Sequence, residues 1–163
     1  MRFYLGTYTR LGGPGVACCE LRGDNGMRVL SSACLENPTY AIANARHDRL
    51  FCVSSAPVSG ETGGSAASFA LSGGEMAPLS RQNALGEGPC HLCLSPDERF
   101  LYLANYPSGS ISAFPVDADG RLGALLQLVQ HEGHGPNPDR QEGPHAHQVV
   151  FLPEENALCC VDL

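Results

Sequence analysis

The sequence predicts an all-β chain: a β-propeller of four-stranded antiparallel blades, present as a partial propeller of about three to three and a half blades. Three observations carry this expectation. Short apolar runs recur with a period of roughly fifty residues. Each period holds four such runs, separated by turns rich in Gly, Asn and Asp. Almost nowhere does the 3.6-residue spacing of an amphipathic helix run for long.

The elements follow in order. Phe3-Tyr-Leu-Gly-Thr-Tyr8 opens the chain and matches Leu101-Tyr-Leu-Ala-Asn-Tyr106, which is the second strand of its repeat, so the chain starts inside a blade. Arg49-Leu-Phe-Cys-Val, Arg99-Phe-Leu-Tyr-Leu and Asn156-Ala-Leu-Cys-Cys-Val align as second strands, at spacings of 50 and then 57 residues. Ahead of each lies a first strand: Tyr40-Ala-Ile-Ala, His91-Leu-Cys-Leu and Gln148-Val-Val-Phe-Leu. Third strands begin at Gly15-Val-Ala-Cys, Gly64-Ser-Ala-Ala-Ser-Phe and Gly109-Ser-Ile-Ser-Ala-Phe. Turns at Asp24-Asn-Gly26, Ser72-Gly-Gly74 and Asp119-Gly120 then lead into fourth strands. The expected division is a blade remnant over 1–36, blades over 37–86 and 87–130, a loop over 131–147, and the start of a further blade over 148–163. The strands number three, four, four and two. Ring closure removes sheet edges, so closing this propeller is expected to need blades beyond Leu163 or a second copy of the chain.

Composition limits the function classes. A length of 163 residues suits one domain. The net charge of −7 argues against nucleic-acid and anionic-membrane partners, which reward a basic surface. All ten basic residues are Arg, so Schiff-base chemistry on a lysine is excluded. The N-terminus reads as a strand rather than a signal peptide, and no apolar run has membrane-spanning length, so a cytoplasmic setting is expected. The eight cysteines include the adjacent pairs Cys18-Cys19 and Cys159-Cys160 and the pair Cys90-x-x-Cys93, all inside strand patterns. They read as small hydrophobic residues in a reducing compartment, with no metal and no cofactor, and a zinc site or a disulfide is the rival reading.

The stretch from His131 to His147 breaks every period. It holds four of the six histidines, one arginine and three prolines, and Val149-Val-Phe-Leu152 anchors its exit. A long loop inside a compact domain is usually functional. It joins the outer strand of one blade to the inner strand of the next, so its closing histidines arrive at the mouth of the channel.

With these residues in view, the chain resembles the seven-bladed lactonase family, which includes 6-phosphogluconolactonases and carboxymuconate-cyclase-like proteins. The matching stretches are Gly6-Thr-Tyr-Thr9, Asn37-Pro-Thr-Tyr40, Gly88-Pro-Cys-His91, Ala104-Asn-Tyr106 and Gly109-Ser110. The most specific are His131-Glu-Gly133, Gly135-Pro-Asn137, Arg140-Gln141 and Pro144-His-Ala-His147. The resemblance covers the whole chain but about half of a family member, and it implies hydrolysis of an anionic sugar lactone such as 6-phosphogluconolactone.

That chemistry needs a base for water and a positive group for developing or resident negative charge. His145 and His147 are two apart and point the same way on an extended segment, which makes them the candidate bases. Arg140 offers a fork for phosphate or carboxylate oxygens. Gln141 and Asn137 are candidate donors to sugar hydroxyls, and His91 is a candidate neighbour from the preceding blade. Three rivals stand beside these roles: a structural use of the histidines, a metal site built from His131, His134, His145 and His147, and a surface salt bridge for Arg140. The histidine spacing is not the helical metalloprotease motif, and no acidic ligand stands at a telling position. Asn105 and Tyr106 read as strand-end packing residues, while Asp162 could face solvent or the channel. At the level of function the rivals are a muconate-type lactone cycloisomerase and a non-catalytic propeller scaffold for protein binding.

Overall fold

The computed structural model describes residues 1–23 and 26–163; Asp24 and Asn25, and with them the expected turn at Asp24-Asn-Gly26, lie outside the described residues. The chain is all-β. Strands β1 (Arg2–Gly6), β2 (Val16–Leu21) and β3 (Met27–Ala33) form the first sheet, and β4 (Pro38–Ala43), β5 (Arg49–Ser54), β6 (Ser65–Ser72) and β7 (Glu75–Asn83) form the second. β8 (Pro89–Leu94), β9 (Phe100–Asn105), β10 (Ser110–Pro115) and β11 (Gln127–Gln130) form the third, and β12 (Ala146–Leu152) pairs with β13 (Ala157–Asp162) in the fourth. All pairs are antiparallel and join sequence neighbours. The helical content among the described residues is one 3-10 turn at Thr9–Leu11.

The apolar patterning explains the packing. β5 is buried from Leu50 to Ser54, because sheets cover both of its faces. Val16, Leu35, Leu50 and Phe69 share the core between the first and second sheets, and Phe51, Leu92, Leu103 and Phe114 share that between the second and third. Ala104, Ile111, Ala146 and Val149 seal the fourth sheet to the third. The hairpin between β6 and β7 turns at Gly73 and Gly74, both with positive φ, so a two-residue turn whose twist matches its strands is available.

Pairing register corrects one reading of the sequence. Pro38 opposite Ser54 recurs as Pro89 opposite Asn105, one residue beyond the 50-residue spacing, so Arg49 is matched by Phe100 and not by Arg99. The spacing to the fourth sheet stays at 57, since Ala146 opposite Asp162 continues the series. The first strand also begins earlier than expected there: Ala146 opens β12, which moves His147 out of the loop and onto a strand.

In each of these three first strands the register shifts one residue in from the start, at Thr39, Cys90 and His147. A bulge leaves its residue unpaired and re-aims the side chain. Thr39 Oγ1 reaches sideways to donate to Pro89 O at 2.6 Å, and Cys90 Sγ likewise donates to His147 O at 3.2 Å. These lateral contacts tie one innermost strand to the next.

All eight cysteines are free thiols. Cys18 and Cys19 point to opposite faces of β2, yet both are fully buried, because both faces of that strand are covered. Burial pushes the Cys52 thiol up to about 12 and the Cys93 thiol up to about 11.

Candidate active site

Residues 131–145 replace the short connections 34–37 and 84–88 that join the other outer and inner strands. Glycine sets how this loop lands. Gly109 has φ +58, and a Cβ there would lie 2.7 Å from Pro144 Cβ and closer still to its carbonyl oxygen. With no side chain at 109, the loop's exit rests directly on the β9–β10 turn. The entry is tied to the same residue, since His131 N donates to Gly109 O at 3.0 Å.

The middle of the loop is a turn of its own. The backbone amides of Arg140 and Gln141 both donate to Asn137 O, at 3.2 and 2.7 Å. Asn137 Oδ1 accepts from the Asp139 amide at 3.1 Å, and Gln141 Oε1 accepts from the Asn137 amide at 3.3 Å. Each of these two side chains therefore commits its oxygen to the loop and keeps its NH2 group without a partner among the described residues. Arg140 is exposed, and its guanidinium makes no ion pair with Asp139 or Glu142 among the described residues.

His145 occupies the place of Asn37 and Gly88, because Leu163 N donates to His145 O as Ser55 N does to Asn37 O and Tyr106 N to Gly88 O. Its ring stacks on Tyr106, with centroids 4.7 Å apart and planes at 18°. Nδ1 lies 3.3 Å from Tyr106 O and Nε2 lies 3.4 Å from Glu142 Oε1. Both nitrogens face oxygen, so the ring is engaged on either side. His147 differs: it meets the same Tyr106 ring edge-on at 5.7 Å, is exposed, and its ring has no hydrogen-bond partner among the described residues. The structure thus brings both histidines to one tyrosine and leaves the His147 ring the more exposed of the two.

His91 lies half-buried beside them. Its ring lies 4.3 Å from that of Tyr40, with the planes tilted by 32°, and it accepts from the Val149 amide at Nδ1, 3.4 Å away. Burial, and next the charge of nearby His147, hold the His91 imidazole below its usual value. It is therefore neutral near pH 7.

Two residues gain weight from the geometry. Tyr106 is the platform shared by His145 and His147. Asp162 accepts from the His145 amide at 2.6 Å through Oδ1, while its Oδ2 lies 2.5 Å from His131 Nδ1. One carboxylate thereby clasps both ends of the loop. Burial works against its charge, but the hydrogen bonds from His131 and the His145 amide outweigh that and hold the carboxyl below the usual carboxylate value. A cavity of about 560 Å³ opens beside this clasp, lined by His131, Glu132, His134, Gln141, Pro144 and Asp162 among others. Of the residues proposed from sequence for catalysis and binding, Gln141 alone lines it. The signal for Asp162 was present in the repeat: Ser54, Asn105 and Asp162 are polar residues at equivalent strand ends.

A match to the family described as lactonase, 7-bladed β-propeller, runs over residues 2–163. The chain belongs to that family. It is 37% identical over 164 residues to a 6-phosphogluconolactonase of Bacillus subtilis, covering 98% of this chain and 46% of that protein. A putative 6-phosphogluconolactonase from Bacteroides fragilis superimposes with a TM-score of 0.87 at 28% identity, over 98% of this chain and 44% of that one. A periplasmic gluconolactonase of Pseudomonas aeruginosa superimposes with a TM-score of 0.89 at 30% identity, over 99% of this chain and 47% of that one. The chain spans about half the length of these lactonase relatives. No helix among the described residues is long and apolar enough to cross a membrane.

Proposed function

We propose that this chain serves the hydrolysis of a sugar lactone, with 6-phosphogluconolactone as the substrate and 6-phosphogluconate as the product, a step of the pentose phosphate pathway in the cytoplasm. The observation that carries the reading is the convergence of His145 and His147 on Tyr106, where the long loop meets β12, in a chain that matches a lactonase family over residues 2–163. His147 removes a proton from water, and the resulting hydroxide attacks the lactone carbonyl carbon. His145, with both nitrogens engaged, holds the loop and the tyrosine in place. Arg140 on its exposed turn takes the anionic oxygens of substrate, for which a guanidinium fork is matched in shape and charge. The NH2 groups of Asn137 and Gln141 are donors for sugar hydroxyls, and neutral His91 walls the same region. In this reading residues 1–163 act as one partial propeller unit, whose blades follow the four sheets.

The test is proton release in a pH-stat with 6-phosphogluconolactone and with unphosphorylated gluconolactone. His147→Ala is expected to lower kcat on both by ~10²–10⁴-fold. Arg140→Ala is expected to raise KM for the phosphorylated lactone far more than for the other. Unchanged rates in both variants, with folding intact, would remove the loop from the chemistry.

A further inference from the structure

His131 and Asp162 stand apart from the residues assigned above, and together they form an oriented imidazole. His131 Nδ1 lies 2.5 Å from Asp162 Oδ2, and the other carboxylate oxygen is held by the His145 amide at 2.6 Å. An ionised carboxylate only accepts, so the proton of this contact belongs to Nδ1. Asp162 stays ionised because those hydrogen bonds prevail over its partial burial. Nδ1 is therefore directed at Asp162, while Nε2 has no partner among the described residues on a ring that lines the 560 Å³ cavity. A carboxylate on one imidazole nitrogen fixes the ring and stabilises its protonated form, with the far nitrogen free to trade a proton with substrate.

Lactone opening has a second proton problem beyond the activation of water. Once hydroxide has added to the carbonyl carbon, the ring C–O bond breaks and its electron pair goes to the ring oxygen. An alkoxide is a poor leaving group unless a proton reaches it. We propose that His131, oriented by Asp162, is the general acid that supplies this proton from Nε2. The assignment rests on the lactone-hydrolysis reading above. The balance closes without a further reactant: His147 gains the proton that water loses, His131 gives one to the ring oxygen, and exchange with solvent resets both rings. Asp162 acts through His131 and is a positioning residue.

Leaving-group dependence tests this. Gluconolactone expels an alkoxide, which needs the acid, whereas the aryl lactone dihydrocoumarin expels a phenolate, which does not. His131→Asn keeps a side-chain N–H for Asp162, so the clasp survives while the second ring nitrogen is lost. Its kcat is expected to fall ~10²-fold or more on gluconolactone and by less than ~3-fold on dihydrocoumarin. Asp162→Asn should show the same split, together with a pH profile on gluconolactone whose alkaline limb moves to lower pH. His147→Ala should lower both substrates alike. Equal losses on the two lactones for His131→Asn, or no loss on either, would overturn the assignment. Measured in a protein that spans the full length of the lactonase relatives, a wild type that hydrolyses neither lactone would instead overturn the lactonase reading and this role with it.

Discussion

Replacing Gly109 by alanine separates two costs that one position combines. The first is backbone strain, since φ is +58 and a Cβ in the left-handed region costs roughly 1–2 kcal/mol. The second is collision: the new Cβ would stand 2.7 Å from Pro144 Cβ and 2.8 Å from its carbonyl carbon, where backbone rather than a mobile side-chain end must give way. Overpacking of that kind typically adds about 1–3 kcal/mol. Gly73 provides the control, with φ +62 and no atom within 4 Å of an added Cβ. Urea unfolding should therefore show Gly73→Ala destabilised by about 1–2 kcal/mol and Gly109→Ala by about 2–5 kcal/mol, with unchanged m-values. Only Gly109→Ala should also shift the NMR signals of the His145 ring and the Tyr106 ring beneath it, because Pro144 adjoins His145. Equal destabilisation of the two variants, with unmoved His145 signals, would refute the claim that Gly109 seats the loop.

Two further outcomes follow from burial and charge. Cys52 is fully buried, with its thiol raised to about 12, whereas Cys34 and Cys159 are exposed. Alkylation of native protein read by mass spectrometry should label Cys34 and Cys159 first and Cys52 only on unfolding; early Cys52 labelling would contradict the packing. The Asp162 carboxyl titrates below its ordinary 3.8, so its contribution to stability is present above that value and is lost as pH falls through the folded-state value. The stability gap between wild type and Asp162→Asn should therefore close in acid, and a gap that persists below the folded-state value would show that the clasp does not depend on charge.

Much of this fold was legible because its signals are local. The apolar runs at Arg49-Leu-Phe-Cys-Val and Leu101-Tyr-Leu-Ala-Asn, and the paired glycines at 73 and 74, each announce a strand or a turn within a few residues. The register was less legible. Two arginines, Arg49 and Arg99, invite a match that the ladder places one residue apart, and a slip of one turns every side chain to the other face. In the candidate site, the spacing offers His145 and His147 as candidate bases on one extended segment and does not choose between them. The bulge at His147 and the oxygens facing both nitrogens of His145 arise from strand pairing and from Tyr106, which lies 39 residues away in the chain. The partnership of His131 with Asp162 spans 31 residues, and it depends on where β13 ends opposite β12. No spacing rule reads such a contact from one sequence.

The repeated bulge has a consequence for how such a protein can change. Thr39, Cys90 and His147 occupy the same socket in successive innermost strands, each unpaired in its ladder, and two of them tether the neighbouring strand through a single side-chain donor. Because the bulge sets this residue outside the backbone ladder, its side chain can vary without disturbing the alternation of the strand around it. The architecture thus offers one interchangeable address in each of the three described innermost strands. A hydroxyl, a thiol or an imidazole can be installed there independently, so new chemistry can be acquired by substitution at a fixed address while the surrounding scaffold stays as it is.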